Sequence, residues 1–217
     1  MSVATHAQVL IQEQHLELLP QKAVFWKKEN CLIVSDVHFG KVGHFRKAGI
    51  AIPKAMEQED LAVLSDLIQE YKPGTLIFLG DLFHSEMNND WHWFILWRQL
   101  FSGIRMILVE GNHDILNPEI YKEAGFEVFD QYTCGPFLFI HDNSKQNSGS
   151  AYIISGHIHP GVRLKGKGRQ AVSLPCFYFG SKEAVLPAFG KFTGNYCLRI
   201  KEGDAIFGIS GSNVVKL

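Results

Sequence analysis

Apolar runs along the chain stop, five times, at a polar signature. Leu32-Ile33-Val34 leads into Ser35-Asp36-Val37-His38, and Leu76-Ile77-Phe78-Leu79 into Gly80-Asp81. Ile107-Leu108-Val109 leads into Glu110-Gly111-Asn112-His113-Asp114. Leu138-Phe139-Ile140 ends at His141, and Ile153-Ile154-Ser155 at Gly156-His157-Ile158-His159. Short, continuous apolar runs suit strands buried on both faces, as in layered α/β folds.

Between the early runs the period changes. From Lys54 to Tyr71 the apolar positions Met56, Leu61, Leu64, Leu67 and Ile68 predict an amphipathic helix, stopped by Pro73-Gly74. Asn88 to Phe101 predicts a second helix, with Trp93, Phe94, Trp97, Leu100 and Phe101 as its core stripe. Trp91 and Ile95 fall outside that stripe, facing another layer or a partner subunit. Pro118 to Ala124 is a short third helix. The first half therefore reads βαβαβ, after a hairpin of Leu16–Leu19 and Ala23–Trp26 around Pro20. Later, strands dominate: Phe126–Phe129, Phe137–Ile140, Ala151–Ile154, Leu174–Phe179, Tyr196–Ile200 and Ala205–Ile209. No repeat or linker divides the chain, so residues 1–217 are expected to form a single domain of two packed sheets flanked by helices.

Composition adds constraints. Net charge is −1, so no global field advertises a nucleic-acid or membrane partner. The four cysteines, Cys31, Cys134, Cys176 and Cys197, form no CxxC pattern and read as buried reduced thiols. Met1 to Glu17 lacks the apolar segment of a signal peptide. No apolar run approaches the roughly 20 residues of a spanning helix. The expectation is a cytoplasmic protein with no membrane association.

The strand-end residues carry the chemistry. Ligands in α/β folds collect beyond the carboxyl ends of strands. Residues two apart on a strand share a face, so Asp36 and His38 are expected to reach one point. Oxygen from Asp36, Asp81 and Asn112, mixed with nitrogen from His38, His141, His157 and His159, suits Mn²⁺, Fe²⁺ or Zn²⁺. The inventory is large enough for two divalent ions, as used for in-line attack at phosphorus.

The series D-x-H, GD, GNHD, H and GHxH over Asp36 to His159 resembles that of the calcineurin-like metallophosphoesterases. The resemblance implies their four-layer α/β fold and two metal ions, Mn²⁺ first, with Fe²⁺ or Zn²⁺ as alternatives. It implies that Asp36, His38 and His159 hold one ion, that Asn112, His141 and His157 hold the other, and that Asp81 bridges them. It further implies that a hydroxide bridging the ions attacks phosphorus. His113, not itself a ligand, would face the substrate and protonate the leaving oxygen or stabilise the phosphoryl oxygens, with Asp114 orienting it. One departure is Asp142 after His141, where many members have Gly.

A narrower resemblance rests on Asp36-Val37-His38-Phe39-Gly40-Lys41, Gly49-Ile50-Ala51-Ile52-Pro53, Gly80-Asp81-Leu82-Phe83-His84, Gly156-His157-Ile158-His159-Pro160, Leu186-Pro187-Ala188-Phe189-Gly190 and Phe192-Thr193-Gly194. These are similar to the bacterial DNA ligase-associated metallophosphoesterases, the PdeM subfamily. That resemblance implies a phosphodiesterase or endonuclease acting on DNA or nucleotides in DNA repair, associated with a DNA ligase and a helicase. Lys41 and Arg46, in the loop leaving the first ligand pair, are the expected substrate-binding residues, contacting phosphate. Arg163, Lys165, Lys167 and Arg169 form a second basic segment after the last pair. His84, three residues after Asp81, reads as a ligand-supporting or a structural residue. Leu186 to Gly190 is expected to be a packed turn under the late sheet, with a site-lining role also open. Phosphomonoesterase or nucleotide pyrophosphatase activity remains an alternative, as does a non-catalytic scaffold of the same fold, and the chain is compatible with a homo-oligomer.

Overall fold

A computed structural model describes residues 5–41, 55–144, 149, 151–166, 168, 170–191 and 193–217, without the side chains of residues 55–58. Arg46, Lys47, the 49–53 motif, Lys167, Arg169 and Phe192 lie outside the described residues.

Two sheets pack face to face. The first contains β1 (Ala7–Ile11), β2 (Gln14–Leu19), β3 (Ala23–Trp26), β4 (Cys31–Ser35), β5 (Thr75–Leu79), β6 (Arg105–Val109) and β7 (Phe126–Phe129), in sequence order. β1 to β4 pair antiparallel; β4 to β7 pair parallel. The second sheet contains β8 (Tyr132–Cys134), β9 (Phe137–Phe139), β10 (Tyr152–Ser155), β11 (Pro160–Lys165), β12 (Ala171–Phe179), β13 (Glu183–Val185), β14 (Tyr196–Cys197), β15 (Ala205–Ser210) and β16 (Asn213–Lys216). Its order is β14-β11-β12-β13-β10-β9-β8, with β15 also on β12 and β16 on β15. β9, β10 and β13 run parallel, so β9 and β10 deliver their carboxyl ends to one edge.

Strand alternation sorts the core into layers. Val24, Ile33, Ile77 and Ile107 face inward from the first sheet, meeting Phe139, Ile154, Phe177 and Phe207 of the second. Their neighbours Phe25, Leu32, Phe78 and Leu108 face outward and meet the helices. These helices are α1 (Ala55–Tyr71), α2 (Asn89–Leu100) and α3 (Pro118–Glu123). Among the described residues no helix covers the outer face of the second sheet. That face carries two smaller clusters, around Tyr178 and Val185 and around Ile140 and Ile153. The two-sheet α/β architecture is as expected, but the flanking helices gather on one sheet. None is long and apolar enough to cross a membrane.

The α2 stripe differs from expectation. Trp91, Phe94, Trp97 and Arg98 are buried, while Trp93 and Leu100 are 50% and 79% exposed. Seven of its twelve residues are apolar or aromatic, five of them consecutive from Trp93 to Trp97, so the 3.6 period fits more than one face. Arg98 decides between them: its guanidinium turns inward and donates to the carbonyls of Phe101, Ile104 and Gly125. Asn88 caps the start by accepting from Asp90 N and Trp91 N. The strands β1, β8, β13 and β16 were not anticipated, being short or polar edge pieces. Cys197 is exposed and Cys134 half-buried rather than buried, and all four cysteines are free of disulfides.

Trp91→Ala should cost about 3–5 kcal/mol, the range for emptying a buried aromatic site. Trp93→Ala should cost well under half of that. Urea unfolding of the two variants checks the assignment, and equal losses would contradict it.

Candidate metal centre

The ligand residues converge through unusual backbone. Strand β4 ends at Ser35, so Asp36 and His38 are not carried by strand alternation as the sequence suggested. Instead both lie in the left-handed region, with φ of 52° and 55°. Asp81 (51°), His157 (69°) and His159 (48°) do the same. Left-handed backbone costs a non-glycine residue of order 1–3 kcal/mol and persists where surrounding structure enforces it. Here the surroundings are hydrogen bonds past the strand ends. Asp36 N–H donates to the Gly80 carbonyl at 3.2 Å, and His38 N–H to the Asp81 carbonyl at 2.8 Å. The parallel β4–β5 ladder thus continues into the loops and holds both ligand pairs in register.

Two groups of side chains result. Asp36, His38 and His159 bring ligand atoms within 4.8 Å of one another, and so do Asp81, His141 and His157. In the first, His159 Nε2 is 3.1 Å from Asp36 Oδ1. In the second, His141 Nε2 lies 3.2 Å from His157 Nδ1, 3.4 Å from Asp81 Oδ1 and 3.1 Å from Asn112 Oδ1. Asp81 Oδ2 lies 4.0 Å from His38 Nε2, so this carboxylate faces both groups. All seven predicted ligand residues are therefore gathered at one edge.

Two observations test whether a cation fits. His141 Nδ1 lies 2.9 Å from the Leu79 carbonyl, which can only accept, so Nδ1 carries the proton. In the neutral ring Nε2 is then an acceptor, yet it faces two further acceptor oxygens. A second proton on the ring is one remedy. Burial opposes it, but Asp81, Asp36 and the Leu79 carbonyl outweigh burial and push the pKa up to about 9. A divalent cation at the same point satisfies the same lone pairs. The second observation is His38, whose ring nitrogens are both buried without a hydrogen-bond partner. Burial, with Lys41 nearby, pushes its pKa down to about 3, so it stays neutral with a lone pair to give. Burial would raise Asp81, but the hydrogen bond and charge of His141 hold it well below the usual carboxylate range. A neutral imidazole at His38 and a retained carboxylate at Asp81 suit metal coordination, and at His141 a cation would take the place of the second proton.

Supporting groups fix the ligands. Asp36 Oδ2 accepts from Ser35 Oγ at 2.5 Å and His157 N at 3.0 Å, leaving Oδ1 for the centre. Gly156 is required here: a Cβ would stand 1.8 Å from Ser35 Oγ and 2.5 Å from Asp36 Oδ2. A Cβ on Gly80 would stand 2.3 Å from His141 Nδ1. Leu186 to Gly190 props the first ligand as well as the late sheet. Phe189 N–H donates to the Ser35 carbonyl at 2.8 Å and Gly190 N–H to the Asp36 carbonyl at 3.2 Å. The period of the sequence gave no sign of this long-range backbone pairing.

His113 is exposed beside the centre, and its backbone N–H donates to Asp81 Oδ1 at 2.8 Å. Asp114 does not meet its ring, contrary to the expected orienting role. The Asp114 carboxylate accepts from Leu82 N, Phe83 N and Gly111 N at 2.8, 3.1 and 2.9 Å, and from Tyr121 OH at 3.3 Å. It ties the Asp81 loop to the Asn112 loop, and burial pushes its pKa up to about 6. The ring that does pack on His113 is His84, with centroids 4.2 Å apart, and His84 also meets His38 at 5.2 Å. Lys41 is half-buried; burial lowers its pKa while Asp81 and Asp36 oppose the change, so it lies within electrostatic reach of both carboxylates.

The family model for calcineurin-like phosphoesterase matches residues 30–145. The chain belongs to the calcineurin-like phosphoesterases. It is a metal-dependent hydrolase of a family that uses a dinuclear metal centre. Among solved structures it is similar to the Pseudomonas putida nuclease MPE, with 27% identity and a TM-score of 0.81 over 98% of this chain and 100% of that one. The E. coli phosphoesterase Yfce matches at 11% identity and a TM-score of 0.44, over 86% of this chain and 97% of that one. No curated protein matches the sequence.

A ligand bound only by the folded state raises stability by mass action. Adding Mn²⁺ to chelator-treated enzyme should therefore raise its melting temperature. Asp81→Asn should remove most of that gain and lower metal content at both groups. Full loading of both in this variant, by elemental analysis, would contradict the bridging position.

Proposed function

We propose that the enzyme is a phosphodiesterase that cuts DNA, as an endonuclease, with two manganese ions held by the residues gathered above. Asp36, His38 and His159 would hold one ion, Asn112, His141 and His157 would hold the other, and Asp81 would serve both. It works as a single cytoplasmic domain in DNA repair, in association with a DNA ligase and a helicase. The observation that carries the choice of substrate is the similarity to a nuclease over essentially the whole of both chains. Bound metal ions would supply positive charge at the phosphoryl group and lower the pKa of water there.

The chain's own residues do the rest. Asp81 stays ionised, because its folded environment favours the carboxylate. The Leu79 carbonyl holds His141 in one tautomer, so the same nitrogen always faces the centre. His113 is exposed at the edge and anchored through its backbone to Asp81, and in this reading its imidazole protonates the leaving oxygen. His84 packs against that ring and limits its rotation. Lys41 offers an ammonium to a non-bridging phosphate oxygen, and Arg46 has the same role in this reading.

His113→Ala should keep its metal but lose about 10²-fold or more in turnover of an aryl phosphodiester, the usual scale for a general acid. Near wild-type turnover would remove His113 from the reaction. The same assay, run with an aryl monophosphate and single-stranded DNA, tests the diester reading. Faster hydrolysis of the monoester than of both diesters would overturn it.

A further inference from the structure

Where β10 and β13 run out, on the helix-free face of the second sheet, lies a cavity of about 330 Å³. Tyr178 and Val185 of the sheet and Leu198 after β14 give it apolar walls. Gly156 and Ile158, which flank His157, also line it, as does Asp142, next to His141. No ligand side chain lines it. It shares its walls with two ligand loops and opens beside the centre rather than in it. The separation is about one backbone thick, since a Cβ on Gly156 would stand 2.5 Å from the Asp36 carboxylate.

The charges around it are sorted. Glu183 and Asp142 are half-buried, and Arg199 and Lys201 are exposed. The acids are held in place: Asn143 Nδ2 donates to Glu183, and Ser144 donates to Asp142 through N and Oγ, both at 2.8 Å. Fixed carboxylates accept from N–H groups, whereas guanidinium and ammonium groups take phosphate. The volume is near the lower end for small-ligand sites. A flat heteroaromatic ring with amino groups, attached to a phosphate, matches a lining that combines apolar walls, fixed acceptors and exposed cations.

We propose that this cavity is a nucleotide subsite, receiving the base next to the scissile phosphate. Glu183 and Asp142 accept from the base's ring and amino N–H groups, and Arg199 and Lys201 hold the following phosphate. A base reaches such a cavity only when unstacked and unpaired, which a single strand permits at little cost and a duplex does not. The inference rests on the phosphodiesterase reading and adds to it the place where the strand is gripped.

The test compares kcat/KM for a single-stranded oligonucleotide with kcat/KM for bis-aryl phosphate, which has no base. Leu198→Trp fills the cavity. Arg199→Glu with Lys201→Glu reverses the exposed charges without touching the core. In each, the ratio of oligonucleotide to aryl diester should fall about ten-fold or more, mainly through KM, the scale of one lost base contact. Binding of a nucleoside 5′-monophosphate, followed by calorimetry, should weaken in parallel. If wild-type enzyme cleaves both substrates and neither variant moves the ratio, the subsite is overturned and the phosphodiesterase reading stands. If wild-type enzyme cleaves neither, that reading has failed first and takes the subsite with it.

Discussion

The hydrogen bond between His141 Nδ1 and the Leu79 carbonyl joins the two sheets at the edge where the ligands collect. Leu79 ends a strand of the first sheet, and His141 follows a strand of the second. That contact sets the rotation of the imidazole and its tautomer, and with the bonds from His157 N to Asp36 and from Phe189 N to Ser35 it sets the distance between the sheets at that edge. Gly80 follows directly because no side chain fits beside that ring. The paired cores behind it, Ile77 and Ile107 against Phe139 and Ile154, keep the sheets from sliding and so keep the contact in register. Without the packed interior, the centre would have ligands but no fixed spacing between them.

That packing also sustains strain. Five of the ligand residues hold left-handed backbone, each a local cost that a short isolated loop would relieve by refolding. Continuation of the β4–β5 ladder past Ser35 and Leu79 prevents relief on one side. The backbone pairing of Phe189 and Gly190 with Ser35 and Asp36 prevents it on the other. Asp114 adds a third brace by joining the loops after β5 and β6. Carboxylates and imidazoles are thus held together by the hydrogen bonds of the fold itself, with the nitrogens of His38 buried and without a hydrogen-bond partner. Preorganisation of this kind trades folding stability for coordination chemistry.

Much of this was legible in the sequence, for a physical reason. Strands buried on both faces must be continuously apolar, and a polar residue at their ends marks the edge facing solvent. Asp36, Asp81, Asn112, His141, His157 and His159 stood out because each interrupts such a run. What escaped was anything decided by contact across long sequence separation. The core face of α2 depends on Arg98 reaching Gly125, and five consecutive apolar residues, Trp93 to Trp97, do not reveal its orientation. Asp114 looked like a partner for His113 because it is adjacent, yet its carboxylate turns the other way to backbone donors of another loop. His84 was left undecided between support and structure, and only the fold brings its ring against His113.

The uneven distribution of helices bears on how substrate meets the centre. α1, α2 and α3 seal the outer face of the first sheet, so loops leaving β5 and β6 are backed by protein. Beyond His141 and His157 the described residues form small apolar clusters and the cavity lined by Ile158, with no helix among them backing the loops that leave β9 and β10. A polyanionic strand approaching a chain of net charge −1 gains little from the global field and must be held by local groups. Lys41 sits on the side of the first ligand pair, and Arg199 and Lys201 on the side of the last. On the proposed endonuclease reading, cations at both margins, with the carboxylates between them reserved for metal, would make a path across the edge rather than a closed pocket. A path of that form suits cleavage within a chain, where nucleotides extend to both sides of the reacting phosphate, better than removal of a terminal phosphate.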